Sequence, residues 1–314
     1  MVSDTGGLQD HSFNYEAYAG MQQAAAVNKD IRTRQVTAPS SADYLSLIDA
    51  YASADCDLVV AAGVAMTEAT RESAKKHSGR HYALVDGKSA PPNVKGVQIN
   101  AAQSAFLAGY LAAAMTKTGT VGTFGGADIE SVKIKMDGFW EGVAHYNTEH
   151  RSTVRVLGWD EPSQRGTLSG NFNDPDGGRR IAADMRDNGA DVILAVAGST
   201  GKGALDQALA SSGKLAMIWT ESDGYITNPD HGSVILTSIL RDVSSTVSTV
   251  VSEAAAGRFD TTPFIGDLAN HSTDLAPFHD YTPQVPASLI NELTVLRQAV
   301  INGSIKITSP NQPS

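Results

Sequence analysis

Short runs of β-branched and small apolar residues recur along the chain. Each is followed by a longer stretch whose apolar positions return every three or four residues. Runs of the first kind predict buried strands, and stretches of the second kind predict helices. "CDLVVAAG" (56–63) reads as a buried strand, "TEATRESAKKH" (67–77) as a helix with Thr67 at its N-cap, and "HYALVDG" (81–87) as a strand ending in an acidic turn. "GVQIN" (96–100) is a short strand. "AAQSAFLAGYLAAAMTK" (101–117) is a helix with apolar positions at Phe106, Leu107, Tyr110, Leu111 and Met115.

The pattern restarts at "GTVGTFGGADIES" (119–131) with a strand, a Gly-Gly turn and an acid. A helix is predicted over 132–147, a strand over 153–159, and a helix over 174–189 capped by Asp174, with Pro175 first and Gly189 past the end. A strand (190–198), a helix (200–213) and a strand ending in acids (215–224) follow. Residues 233–257 predict a strand and a long helix, 268–281 loop and a short strand, and 286–310 a helix and a last strand. Such alternation implies parallel sheets covered by helices on both faces. It occurs twice, with a break near residues 117–120, and so predicts two similar α/β lobes as a hinged pair with a cleft. Both repeats carry a Gly-Gly turn, the first in "SDTGGLQDHSFN" (3–14). In open α/β sheets ligands bind at the carboxyl ends of the strands, where these turns fall.

The 314 residues suffice for two lobes, and 41% hydrophobic content suffices for their cores. A net charge of −10 argues against binding nucleic acid through its phosphates. Cys56 is the single cysteine, so no disulfide forms within the chain. It opens a predicted strand and is expected to be a small buried residue. No run approaches the roughly 18 apolar residues of a transmembrane helix, and no signal peptide is visible.

Enzyme motifs are missing. "AGSTGKGA" (197–204) follows a strand and opens a helix, but Val196 stands where a P-loop needs its first glycine and Gly203 follows the lysine. A packing turn, or a backbone surface for a neutral ligand, is expected there. "HSGRH" (77–81) spaces two histidines four apart, yet Gly79 lies between them at a predicted helix end, which suits a solvated turn better than a metal face. There is no G-x-S-x-G elbow and no dinucleotide fingerprint, and Glu221 and Asp223 have no marked partner acid or nucleophile. No cofactor and no metal are expected.

What recurs instead is polar and aromatic residues at the predicted carboxyl ends of strands. They are Asp4 with Phe13 and Asn14, Gly63, Asp86, Asp128 after the second Gly-Gly turn, Gly198 with Ser199, and Glu221 with Asp223. Singly each has a plain explanation: Phe13 as a core residue, Asp10 as a helix N-cap. Together they suit a small polar ring compound, with aromatic faces stacking on it and carboxylates accepting its hydroxyl protons.

These same residues carry a resemblance. "SDTGGLQDHSFNYEAYAGM" (3–21), "CDLVVAAGVAM" (56–66), "AFLAGYLAA" (105–113), "GTVGTFGGADIES" (119–131), "DGFWEGV" (137–143), "GNFNDPDGGRRIAADMRDNGADVILAVAGSTGKGA" (170–204), "WTESDG" (219–224), "ILTSILRDV" (235–243) and "INGSIKI" (301–307) span nearly the whole chain. In this order they resemble the basic membrane protein family (purine nucleoside receptor A-like) of ABC transporter substrate-binding lipoproteins. The resemblance implies an α/β, type I periplasmic-binding-protein fold: two doubly wound parallel-sheet lobes with a hinge and a central ligand cleft. The expected lobes are residues 1–117 plus about 240–275, and 118–239 plus about 276–314. It implies a purine nucleoside as ligand, an ABC transporter permease as partner, a monomer, and an extracytoplasmic place on a lipid anchor. The family's leader, and several further residues of its first strand, are expected ahead of Asp4 and are not in this sequence.

Residue by residue, the resemblance implies that Phe13 and Phe172 stack on the two faces of a purine, and that Asp4 and Asn14 bind its polar atoms. Asp128 reaches the cleft, and Gly198 admits the ligand to the backbone. The family's D-S-D turn appears as Glu221-Ser222-Asp223, whose first acid binds ribose hydroxyls in the family. Glu221 is longer by one methylene, which changes that geometry. The family's T-S-x-x-K lysine appears as Arg241, a planar fork in place of a point charge. Trp219 replaces a small residue and is expected to shape the pocket. Segment 160–169 is longer than usual and reads as a lid or as a surface loop. The other functional readings are a ligand-sensing regulatory domain of the same fold, a receptor for a non-nucleoside polar solute, and, with least support, a nucleoside hydrolase.

Overall fold

The computed structural model describes residues 1–5, 7–8, 13–90 and 92–313. Gly6 of the opening Gly-Gly turn and Asp10, the expected N-cap, lie outside the described residues. The strands among them are β1 (Val2–Ser3), β2 (Val36–Thr37), β3 (Leu58–Ala62), β4 (His81–Val85), β5 (Val94–Ile99), β6 (Thr120–Gly125), β7 (Arg155–Leu157), β8 (Trp159–Asp160), β9 (Arg165–Gly166), β10 (Val192–Val196), β11 (Ala216–Glu221), β12 (Ile235–Arg241), β13 (Phe264–Gly266) and β14 (Thr273–Leu275). The helices are α1 (Phe13–Val27), α2 (Tyr44–Ser53), α3 (Thr67–Lys76), α4 (Ala102–Met115), α5 (Glu130–His150), α6 (Pro175–Asp187), α7 (Ser199–Ala210), α8 (Gly224–Thr227), α9 (Val243–Ala255) and α10 (Ala287–Ile301).

Two compact units result. Unit 1 is Met1–Ile99, Asp242–Gly266 and Pro313–Ser314; unit 2 is Asn100–Arg241 and Asp267–Gln312. In unit 1 the sheet runs β13-β5-β4-β3-β1-β2, every pair parallel. The pleat divides its core. Val60, Ala62, Ala83, Val85, Val97 and Ile99 face α1 and α9. Their neighbours Val59, Ala61, Tyr82, Leu84 and Val94 face α2 and α3 on the other side. Both faces are therefore buried, which is why β3, between β4 and β1, reads as an unbroken apolar run.

In unit 2 the sheet runs β14-β12-β11-β10-β6-β7, parallel except for β14, which pairs antiparallel with β12. Val192, Leu194 and Val196 pack with α4, α5 and α10. Ile193, Ala195, Met217 and Trp219 pack with α6 and α7. The helices of each covering pair touch backbone to backbone. A Cβ on Gly109 of α4 would stand 2.0 Å from the Phe139 carbonyl oxygen of α5, and one on Gly203 of α7 would stand 1.6 Å from that of Pro175 in α6. The close α4–α5 contact places α4 in unit 2. The compact units accordingly divide at Ile99/Asn100, where the sequence pattern suggested a division near residue 117.

Local differences have local causes. Asp174 caps α6 as expected, accepting from Gly177 N at 2.8 Å. Thr67, the expected N-cap of α3, is instead its first residue, and its hydroxyl donates back to the Val64 carbonyl. A 3-10 turn over Val64–Met66 leads into the helix and replaces the cap. Cys56 precedes β3 and is only partly buried. No strand forms over 302–310, where Gly303 (φ +78°) turns the chain after α10. The strand expected over 153–159 breaks at Gly158 (φ +80°), so that β7 and β8 belong to different sheets.

Segment 160–169 is neither free lid nor plain surface loop. β8 and β9 form a small antiparallel hairpin. Its outgoing end hydrogen-bonds to β6 through Gly125 N to Thr167 O (3.0 Å) and Ser169 N to Gly125 O (2.8 Å). The hairpin is thereby pinned beside the carboxyl end of the unit 2 sheet.

Candidate functional site

In unit 1 the candidate residues gather past the carboxyl ends of β1, β3 and β4. Asp4 follows β1 directly, and Asn14 in the first turn of α1 donates to its Oδ1 at 2.7 Å. Asn14 is 5% exposed. Its Oδ1 is buried and has no hydrogen-bond partner among the described residues. Gly63 follows β3 at φ +127°, a conformation that side chains rarely adopt. A Cβ there would lie 3.5 Å from Asp4 Oδ2 and 4.0 Å from the Phe13 ring. Phe13, half-buried at the start of α1, packs on the core beneath. Asp86 directly follows β4 at φ +61°. The sequence thus brings Asp4, Phe13, Asn14 and Gly63 into one cluster.

In unit 2, Phe172 lies over bare backbone. A Cβ on Gly126, just past β6, would stand 2.3 Å from its ring, and one on Gly198, just past β10, would stand 3.4 Å from its Cβ. Glycine at both strand ends lets the aromatic side chain seat there, and 37% of Phe172 remains exposed. Gly198 has φ +52° and ψ −132°, backbone that only glycine adopts readily. Two of the N–H groups that open α7 have partners within the chain: Thr200 N donates to Phe172 O (3.1 Å) and Gly201 N to Gly198 O (2.9 Å).

Glu221 ends β11 at φ +76°. Arg241, at the end of β12, donates to its Oε2 at 2.8 Å. Lys135, from α5, donates to its Oε1 at 2.5 Å. Burial alone would raise the Glu221 carboxyl, but the Arg241 guanidinium and the Lys135 ammonium overcome it and hold the group at about 2. Lys135 was not among the expected residues. The signal was present: Val132, Met136, Phe139 and Val143 form the buried stripe of α5, and a lysine falls within it.

Two expected residues have local partners. Asp128 pairs with Lys133 at 2.8 Å and is mostly exposed. Asp223 accepts from Tyr225 N (3.1 Å) as the cap of α8, and its Oδ2 lies 2.8 Å from His279 Nε2. The Tyr225 and His279 rings stack at 4.1 Å. Trp219 is 8% exposed, with Gly201 and Gly224 against its ring, and so fills the core under α7 and α8. No group of three or more potential metal ligands occurs among the described residues. Within them no helix is long and apolar enough to cross a membrane. Unit 1 thus sets an aromatic side chain beside a carboxylate and an amide, and unit 2 holds an aromatic side chain on glycine backbone and, separately, a carboxylate between two cations.

The family model described as Bmp, ABC transporter substrate-binding protein PnrA-like, matches residues 1–265. The CD4+ T-cell-stimulating antigen of Listeria monocytogenes is 26% identical, over 100% of this chain and 88% of that protein. The ABC transporter nucleoside-binding protein BmpA of Lactococcus lactis is 24% identical, over 98% of this chain and 88% of that one. Among solved structures, a solute-binding protein of an ABC transporter system from Aeropyrum pernix K1 superposes with a TM-score of 0.82 at 25% identity, covering 98% of this chain and 92% of the other. The fold is the type I periplasmic-binding fold that the sequence led us to expect.

Proposed function

The chain belongs to the Bmp family of PnrA-like ABC transporter substrate-binding proteins, and from that premise we propose that it captures a purine nucleoside for an ABC importer. The observation that carries the reading is Phe172, an aromatic side chain held on bare glycine backbone at the carboxyl ends of β6 and β10 and left partly open. A purine stacks on such a surface at a gain of about 1–3 kcal/mol. Phe13 offers a second aromatic surface in its own unit, and Asn14 Oδ1, which has no partner among the described residues, accepts a ligand N–H. The Lactococcus relative is named for nucleoside binding, which supports the ligand class.

In this reading the protein is a binding protein without catalytic chemistry. It works as a monomer outside the cytoplasmic membrane, held there by a lipid anchor, and passes its ligand to a membrane permease. Titration calorimetry of refolded, ligand-stripped protein with adenosine, guanosine, inosine, cytidine and uridine tests the proposal. Purine nucleosides should bind most tightly, and Phe172→Ala should weaken them about 5- to 100-fold. Protein that binds none of the five refutes the ligand class.

A further inference from the structure

We infer that Lys135 is a positioning residue, fixing the Glu221 carboxylate as the acceptor for a pair of ligand hydroxyls. The inference rests on the nucleoside reading and adds to it the side chain that sets the preference for an intact ribose.

Lys135 is 3% exposed at its side chain and rises from the apolar stripe of α5. An ammonium there is costly unless it is paired. Its Nζ donates to Ser131 O (3.0 Å), one turn back on its own helix, and to Glu221 Oε1 (2.5 Å). The first bond anchors the head group, and the second spends it on one oxygen of Glu221. Arg241 occupies the other oxygen, and its side chain is 4% exposed. The cations therefore grip the carboxylate from two elements, one oxygen each.

A carboxylate has about four acceptor positions, two on each oxygen. Each oxygen of Glu221 thus keeps one position beyond its ion pair. The side chain is 25% exposed, so it is not closed over by its partners. Paired hydroxyls on neighbouring carbons fit this arrangement, with one proton donated to each oxygen. The backbone of Glu221 adds to the argument. At φ +76° it occupies a region that a non-glycine residue rarely adopts, and such conformations persist where the surroundings over-determine them. Without Lys135 the carboxylate keeps its charge and its arginine but loses the contact that sets its rotation.

The test compares adenosine with 2′,3′-dideoxyadenosine by titration calorimetry on the native protein, Lys135→Met and Lys135→Arg. Native protein should favour adenosine by about tenfold or more. Lys135→Met should bind the dideoxy compound as the native protein does, which also reports a folded site, while its adenosine preference collapses. Lys135→Arg restores a cation and should recover most of the preference. Equal losses for both compounds in Lys135→Met, or no loss at all, would overturn the inference. So would an arginine variant that binds the two alike, however the methionine variant folds. Native protein that binds no nucleoside overturns the reading beneath the inference, and the inference with it; native binding with unaltered selectivity in the variants overturns only the role of Lys135.

Discussion

Trp159 Nε1 donates to Asp137 Oδ1 across 2.9 Å, and this bond ties the hairpin over 160–169 to the core of unit 2. Asp137 is fully buried on α5 and accepts three further hydrogen bonds, from Gln164 Nε2 (2.8 Å), Ser309 Oγ (2.6 Å) and Asn311 Nδ2 (2.8 Å). One carboxylate thus gathers a helix, a hairpin and the C-terminal segment. An amide of the same shape could not satisfy them, because its N–H₂ would point at a donor. Asp137→Asn is expected to destabilise the fold by about 1–3 kcal/mol, read as a lower urea midpoint at unchanged slope. A midpoint equal to the native one would show that the network carries no net stability.

Helix-to-helix glycine contacts give a second prediction with an internal control. Gly203 allows α7 to meet the Pro175 carbonyl, and the 1.6 Å left for a Cβ means that backbone must move. Gly203→Ala should cost about 3 kcal/mol or more, as in overpacked cores. Gly79 has nothing within 4 Å of a built Cβ and no positive φ. Gly79→Ala should be neutral or stabilising by up to about 1 kcal/mol, through the unfolded chain. Thermal melts of the two variants decide it; a harmless Gly203→Ala would mean that the α6–α7 approach is looser than described.

These contacts also explain how much could be read from the sequence. Strand and helix alternation was legible because both faces of each sheet are covered, so Leu58–Ala62 and Val192–Val196 appear as unbroken apolar runs. The clustering of Asp4, Phe13 and Asn14 was legible because they lie on one strand end and the helix after it. Lys135 was not, because its meaning depends on Glu221, which is distant in sequence and adjacent only once the sheet has formed. The assignment of α4 was not legible either. Its apolar residues surround the whole helix, so periodicity could not say which neighbour it would join, and Gly109 against Phe139 decides that only in three dimensions. The last strand expected near residue 305 had the right residue types but found no partner edge among the described residues.

The Glu221 ion pairs predict a defined response to acid. The carboxyl is held at about 2 in the fold, below its ordinary value of 4.5, because two cations overcome the effect of burial. A depressed carboxyl contributes stability that is fully present above the unfolded value and is lost as pH falls through the folded one. For Glu221 the window lies between about pH 5 and pH 2, and the contribution is about 3 kcal/mol. Other carboxylates titrate over the same range, so the informative quantity is the difference between native protein and Glu221→Gln. At pH 6 the variant should be less stable by roughly 3–5 kcal/mol, because Lys135 and Arg241 keep their charges without a counter-charge. As pH falls toward 2.5, urea midpoints of the two proteins should converge, since the native protein loses what the variant never had. A gap that stays constant from pH 6 to pH 2.5 would show that Glu221 is not held ionised by its two cations.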